Sequence, residues 1–220
     1  PPLFGYVKPA KTIGRMKAFN GHFGGGFVRS FTYIAMHGPD GLKDIAQYAV
    51  LNANYLQARL RSTYTIPYDR ICMHEFVAEG RFEGSDVRAL DIAKRLMDYG
   101  FHAPTMSFPV PGTIMIEPTE SEDKAELDRF CEALINIHTE IKSIEEGRSD
   151  KNDNVLKNAP HTQDVISADE WNHPYSRQEA AFPLAYVMKN KFWPSIARIN
   201  NTFGDRNLIC TCEPTSSFAE

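Results

Sequence analysis

The sequence has little of several features that would identify its class at once. Cysteine occurs only four times in 220 residues, too few for a disulfide scaffold and without zinc-finger spacing, so we expect a reducing, intracellular setting. Lys and Arg (24) do not exceed Asp and Glu (28), and the net charge of −4 argues against a general nucleic-acid binder. The longest uncharged stretch, residues 99–116, contains three prolines and two glycines, which excludes a regular membrane-spanning helix there. These observations predict a packed globular protein.

Several catalytic signatures are also missing from the sequence. It contains no G-x-S-x-G elbow, no H-E-x-x-H pair and no catalytic Cys–His pattern, so no catalytic residue and no metal site is predicted. The chain opens on Pro1 rather than methionine and without a signal segment, which we interpret as a trimmed or processed start.

Apolar periodicity predicts helices that alternate with short strands. The predicted helices cover residues 42–60 with Asp40 as N-cap, residues 86–99 between Ser85 and Gly100, and a segment that begins at a capping box in residues 119–122. Strands are predicted at residues 73–78 and 113–117. This order predicts an α/β fold, a small sheet covered by helices.

The texture of the chain suggests three regions. Residues 1–40 are rich in glycine and aromatic residues and are interpreted as the end of something larger. Residues 41–148 carry the helix and strand pattern. Residues 149–220 are rich in Pro, Asn and aromatic clusters, so we expect a loop-rich C-terminal extension there.

A glycine-rich turn at residues 20–26 precedes a helix predicted at residues 27–36. Free N–H groups at such a helix start can hold a phosphate, which makes Gly21 and His22 candidate cofactor-binding residues. The alternative is that the glycines only allow close packing, since the segment is neither a P-loop nor a dinucleotide fingerprint.

The segment 98–109 is the most informative stretch for a substrate site. Pro104 and Pro109 force extended backbone, which would fix His102 and Thr105 on a rigid connection. His102 could exchange protons, and Thr105 could hydrogen-bond a carboxylate or phosphate. The alternative for His102 is structural, since an isolated histidine often only makes hydrogen bonds within its own loop. His74 and Glu75 are expected in a strand with their side chains on opposite faces, unable to share one site.

Cys210 and Cys212 stand close to the C-terminus, two residues apart. On an extended strand their side chains would point to opposite faces, so a disulfide between them would be strained. They are either small packing residues or redox candidates, with the nearby Arg206 lowering a thiol pKa.

Longer segments resemble the C-terminal part of glycine dehydrogenase (decarboxylating), the P-protein family of the glycine cleavage system. The matching stretches are residues 51–55, 90–96, 98–105, 116–122, 157–162, 173–177, 191–194 and 204–208. Residues 13–24 are similar to the second subunit of the split form of that enzyme, except that Asn20 stands where Tyr is usual and the following glycine run is one residue longer.

The resemblance implies the small C-terminal domain of a fold-type-I, aminotransferase-like enzyme that depends on pyridoxal 5′-phosphate. Residues 1–40 would be the end of the large cofactor domain. In the family, the cofactor acts as an electron sink while glycine loses carbon dioxide, and the aminomethyl group passes to the lipoyl group of the H-protein. The implied partners are the rest of the P-protein, in a dimer or heterotetramer, and lipoylated H-protein. The implied location is the cytoplasm in bacteria and the mitochondrial matrix in eukaryotes.

One departure from the family separates this chain from a complete enzyme. The lysine that holds the cofactor lies in a His-Lys-Thr context in the family, and no such stretch occurs here. We therefore expect a portion of the enzyme that does not hold the cofactor covalently. The alternatives are a non-catalytic scaffold or regulatory subunit that keeps the fold, and another fold-type-I enzyme.

Overall fold

The structure is a computed structural model that describes residues 10–11 and 19–209, with side chains from Gly24 to residue 209 in the longer range. Its residues divide into two compact units, one ending at Gln47 and the other beginning at Tyr48. The predicted boundaries at residues 40 and 148 remain predictions.

Eleven elements are described along the chain. The helices are α1 (Phe19–Leu60), α2 (Ala89–Asp98), α3 (Lys124–Glu145), α4 (Val155–Asn158), α5 (Gln163–Ser167), α6 (Arg177–Ala181), α7 (Ala185–Lys189) and α8 (Asn201–Arg206). The strands are β1 (Phe76–Glu79), β2 (Thr105–Met106) and β3 (Thr113–Ile116). No helix in the described part of the chain is both long and apolar enough to cross a membrane.

Helix α1 corrects two sequence predictions. It begins at Phe19, so the predicted glycine-rich loop is wrong: the glycines lie inside the helix. It is kinked at Gly38, whose φ of 63° and ψ of −177° are non-helical. Helical geometry resumes at Pro39, because proline fits the first position of a helix where its missing N–H is not needed. Asp40 is therefore a residue of the helix, not its N-cap.

In the unit that ends at Gln47, the described part of α1 carries several exposed apolar side chains. Phe31 and Met36 are 74% and 76% exposed. Thr32 Oγ1 donates to the carbonyl of Val28 at 2.8 Å, which satisfies the hydroxyl within the helix.

The second unit is built around a three-stranded antiparallel sheet in the order β1-β3-β2. Phe76 pairs with Ile116 and Thr105 with Met115, so β3 is the central strand. The predicted strands at residues 73–78 and 113–117 are confirmed with small shifts of their ends. The sheet and the helices packed against it confirm the predicted mixed helix-and-sheet class.

Helix α2 begins later than predicted. Its N-cap is Arg88, whose N–H donates to Asp91 Oδ2 at 3.0 Å, so Ser85 does not cap it. Gly100 ends it as predicted, because φ at this residue is +83°, a conformation that glycine adopts without strain.

Helix α3 also begins later than predicted, because Asp123 and not Thr119 is its N-cap. The Asp123 carboxylate accepts from the N–H of Glu126 at 2.8 Å. The apolar periodicity that predicts this helix corresponds to a buried face. The buried residues of α3 are Leu127, Cys131, Ala133, Leu134, Ile137, Ile141 and Ile144. This face forms the core with α2, the sheet and the end of α1.

Candidate functional site

A cleft of about 490 Å³ in the second unit contains both residues predicted to bind substrate. His102 and Thr105 line one wall, which follows α2 and runs into β2. The end of β3, the residues that follow it and the first turn of α3 also line the cleft, with Glu117 and Glu126 among them. The structure therefore brings His102 and Thr105 to one cavity.

The two predicted residues are held differently. Thr105 opens β2 and pairs with Met115 on the central strand, so its backbone is fixed by the sheet. His102 is exposed in the connection before β2, and its Nδ1 lies 3.0 Å from the carbonyl of Ala103. Its Nε2 makes no hydrogen bond to any residue that the structure describes.

The charges of the cleft come from carboxylates. Among the described residues that line it there is no lysine or arginine, whereas Glu117, Glu122 and Glu126 all contribute. Glu126 is paired with Arg129, whose Nε donates at 2.7 Å and whose guanidinium stacks on Phe101 at 4.0 Å. The hydrogen bonds from Arg129 to Glu126 raise the pKa of that guanidinium. The remaining carboxylates suit an ammonium group better than a phosphate.

His74, Glu75 and Glu117 form a cluster beside this cleft, which corrects the prediction for His74 and Glu75. Their ligand atoms lie within 4.8 Å of one another. The prediction is wrong because both residues precede β1, where the alternation of strand side chains does not apply. Such a set could hold a divalent cation, but each side chain is about half exposed, so water satisfies it equally well.

Two asparagines of α1 fix the segments around the cleft. Asn52 Nδ2 donates to the carbonyl of Thr119 at 2.9 Å, just before α3. Asn54 makes a two-way pair with the backbone of Cys72: its Nδ2 donates to the carbonyl at 2.8 Å and its Oδ1 accepts from the N–H at 3.0 Å. The stretch at residues 51–55 therefore has a physical role in positioning loops.

Arg95, which sequence reasoning did not single out, is the centre of a buried polar network. Its side chain is fully buried on α2. It donates to Asp98 Oδ2 at 3.0 Å, to both Glu140 oxygens, and to the carbonyls of Glu179 and Ala180 at 2.8 Å. Burial works to lower the pKa of Arg95, but the neighbouring Glu140 and Asp98 raise it. The only sequence signal was an arginine on the apolar face of α2, between Ile92 and Leu96.

Asp98 carries this network into the C-terminal segment. Its Oδ1 accepts from the N–H of His161 at 2.7 Å, and its Oδ2 lies 2.8 Å from His161 Nδ1. Lys191 Nζ donates to the carbonyl of Asp98 at 2.7 Å, and burial lowers the pKa of Lys191 to about 8. Segments 98–105, 157–162 and 191–194 thus meet at the end of α2.

The other predicted site residues lie where little is described. Gly21 and His22 are in the first turn of α1, and their side chains are outside the described residues. Cys210 and Cys212 lie wholly outside the described residues. Their cofactor and redox roles remain predictions.

The fold and the cleft define a mixed helix-and-sheet domain with a cleft beside its sheet. Residues 45–161 match the family model described as "Glycine dehydrogenase, C-terminal domain". The chain therefore belongs to that family.

Curated relatives agree with this assignment. The chain is 53% identical over 193 residues to a glycine dehydrogenase (decarboxylating) of Akkermansia muciniphila, an alignment that covers 86% of this chain and 20% of that protein. It is 53% identical over 196 residues to the mitochondrial glycine dehydrogenase (decarboxylating) of Solanum tuberosum, which covers 87% of this chain and 19% of that protein. The chain thus spans about a fifth of the length of the curated relatives it matches.

Proposed function

We propose that this chain is the C-terminal portion of a pyridoxal-phosphate-dependent glycine dehydrogenase (decarboxylating). The observation that carries the proposal is the 53% identity to curated enzymes of that name over most of the chain. In the complete protein, glycine loses carbon dioxide and its aminomethyl group passes to the lipoyl group of an H-protein.

Within that enzyme, residues 41–148 would be the small domain of a fold-type-I architecture. Residues 1–40 would end the large domain, and residues 149–220 would be the extension. The contacts from Asp98 to His161 and Lys191 support an extension that packs on the small domain as one structure.

The cleft is the place for the amino acid. Thr105 would donate its hydroxyl proton to the carboxylate of glycine, and His102 would hold or move a proton through its unpartnered Nε2. The nearby Glu117 and Glu122 would favour an ammonium group at the same site. This chain would supply binding and orientation to the reaction.

The residues of the cleft do not fit pyridoxal phosphate by themselves. No lysine among the described lining residues can bind it covalently, and no arginine or lysine there can neutralise its phosphate. We therefore place the cofactor-holding groups elsewhere in the complete protein. Borohydride reduction of the isolated chain with pyridoxal phosphate should leave every lysine without stoichiometric label in peptide mapping.

The test of the cleft uses the complete enzyme with lipoylated H-protein. His102→Asn and Thr105→Ala should each lower the rate of carbon dioxide release from carboxyl-labelled glycine at least tenfold, because a hydrogen bond to a charged group contributes about 1.5–3 kcal/mol. Thr139→Ala, an exposed threonine of α3 outside the cleft, is the matched control.

The outcomes separate function from structure. Full activity in both cleft variants, with unchanged glycine affinity, would make the two residues structural. Absence of glycine decarboxylation by the unmodified complete protein would contradict the proposed function and favour a scaffold subunit.

The partners follow from the proposed function. The rest of the P-protein would complete the enzyme as a dimer or heterotetramer, and lipoylated H-protein would receive the aminomethyl group. The location would be the cytoplasm or the mitochondrial matrix, according to the source; relatives from Solanum tuberosum and Pisum sativum are named as mitochondrial.

A further inference from the structure

A second cavity, separate from the cleft that contains His102 and Thr105, is lined by charged residues of the opposite sign. It has a volume of about 600 Å³ and lies between α2, α4 and the segment 197–202. Lys94, Lys157 and Arg198 line it together with His173, and no aspartate or glutamate occurs among its described lining residues. Three cations from separate parts of the chain thus face one space.

Two of these cations are held in place from behind. The buried carboxylate of Asp91 accepts from Lys157 Nζ at 3.0 Å and from Arg198 Nη1 at 2.6 Å. Arg198 also donates to the carbonyls of Leu156 and Ala159, both at 2.8 Å. Their side chains are only 22% and 24% exposed, so both cations are fixed rather than free to move in solvent.

The third cation has no partner. Lys94 forms no hydrogen bond or ion pair with any residue that the structure describes, although its side chain is half-buried. Asp91 cancels one of the three positive charges, and His173 is matched by Asp153 at 2.7 Å from its Nδ1. Two positive charges therefore remain at the cavity without an opposite charge among its described lining residues.

We propose that this cavity binds a small organic molecule that carries a phosphate group. A phosphate dianion would balance the two remaining charges, and the fixed Lys157 and Arg198 would lose little side-chain entropy on binding. Leu90, Val165 and Ile199 add apolar wall, which suits an organic group attached to the phosphate. The site is independent of glycine decarboxylation.

Phenyl phosphate and inorganic phosphate test this site in the complete protein, loaded with pyridoxal phosphate and then freed of the excess by gel filtration. The cofactor site is then filled and no free organic phosphate competes for the cavity. Calorimetry at constant ionic strength should show tighter binding of phenyl phosphate than of inorganic phosphate, because only the former uses the apolar walls. Lys94→Gln should weaken phenyl phosphate binding at least tenfold, since it removes a charged donor. Lys94→Arg should retain it.

Lys151→Gln is the matched control, because Lys151 is exposed, lies outside the cavity and likewise has no side-chain partner in the described part of the chain. A second measurement does not depend on any variant: phenyl phosphate should slow reductive methylation of Lys94 in the unmodified protein but not that of Lys151. Equal binding to the Lys94→Gln and Lys151→Gln proteins, or equal methylation of both lysines with and without the ligand, would overturn the proposal. Binding of inorganic phosphate as tight as phenyl phosphate would overturn the organic part of it.

Discussion

Arg95 and Glu140 form two parallel hydrogen bonds, from Nε to Oε2 at 3.0 Å and from Nη2 to Oε1 at 2.7 Å. Arg95 lies on α2 and Glu140 on α3, so the pair joins these two helices of the second unit. Tyr99 adds a hydrogen bond from its hydroxyl to Glu140 Oε1 at 2.9 Å. Because the same guanidinium also donates to carbonyls of Glu179 and Ala180, it fixes the C-terminal segment against the core.

Replacement of this arginine should be strongly destabilising. Arg95→Met keeps the apolar stem but removes the guanidinium that donates to Glu140, Asp98 and two carbonyls, so the buried carboxylates lose their positive partner. Breaking one side of a buried ion pair costs about 3–5 kcal/mol. Urea unfolding followed by circular dichroism should show a loss of that size. Arg88→Met is the control: its partner Asp86 is exposed, and such pairs contribute about 0.5 kcal/mol. Equal effects of the two variants would contradict the role assigned to Arg95.

The pair of hydrogen bonds between Asn54 and the backbone of Cys72 gives a second prediction. Asn54→Ala should lower the unfolding free energy by about 1–2 kcal/mol, because it leaves a half-buried backbone donor and acceptor of Cys72 unpaired. Amide exchange around residues 71–75 should accelerate, while exchange in α3 should change little. Asn152→Ala, an exposed asparagine, serves as control. Unchanged exchange at the Cys72 amide would show that the asparagine does not hold this loop.

How far the sequence predicts this fold depends on the range of the interactions. The apolar faces of α2 and α3 are predictable because a period of 3.6 residues is a local property. The first residues of the helices are not predictable in this way, since several neighbouring polar residues can cap a helix equally well. Asp123 rather than Thr119 caps α3 only in the folded chain. Strand β2 has two residues and exists through its pairing with Met115.

The same limit applies to the site. The segment of His102 and Thr105 could be singled out because prolines and a helix-ending glycine mark it, and the structure brings both residues to one cleft. Their role in binding stays a prediction. The role of Arg95 could not be predicted from the sequence, because charged residues are usually exposed. Its partners Glu140 and Ala180 are also 45 and 85 residues away in the chain. The cavity with Lys94, Lys157 and Arg198 also depends on segments that only tertiary structure brings together.

Lys191 should make stability depend on pH. Its folded pKa of about 8 lies below the ordinary lysine value of 10.5 because burial disfavours the charged form. Between these values the unfolded chain binds the proton and the folded chain does not, so the unfolding free energy rises with pH across that window. Relative to Lys191→Met, the unmodified protein should gain stability between pH 7.5 and pH 9.5. Lys189→Met, an exposed lysine of α7, should show no comparable difference. If the difference in unfolding free energy between the unmodified protein and Lys191→Met stays constant across this pH range, the lowered pKa of Lys191 is contradicted.

The four cysteines should differ in reactivity by position. Burial raises the pKa of the Cys131 thiol to about 11 and also raises the pKa of Cys72, so both hold little of the nucleophilic thiolate near pH 7.5. We therefore expect a charged maleimide to label Cys210 or Cys212 first, Cys72 slowly, and Cys131 only after unfolding. Peptide mass analysis of the native complete enzyme, with and without mild oxidant, measures the order of labelling.

Cys210 or Cys212 could also control activity. In that case oxidant should lower the reaction rate of the enzyme and block labelling of that cysteine together, and a reductant should restore both. If Cys131 were labelled in the folded protein as fast as the other cysteines, its burial in α3 would be contradicted. If neither Cys210 nor Cys212 reacts before unfolding, and oxidant leaves the reaction rate of the enzyme unchanged, the pair is structural.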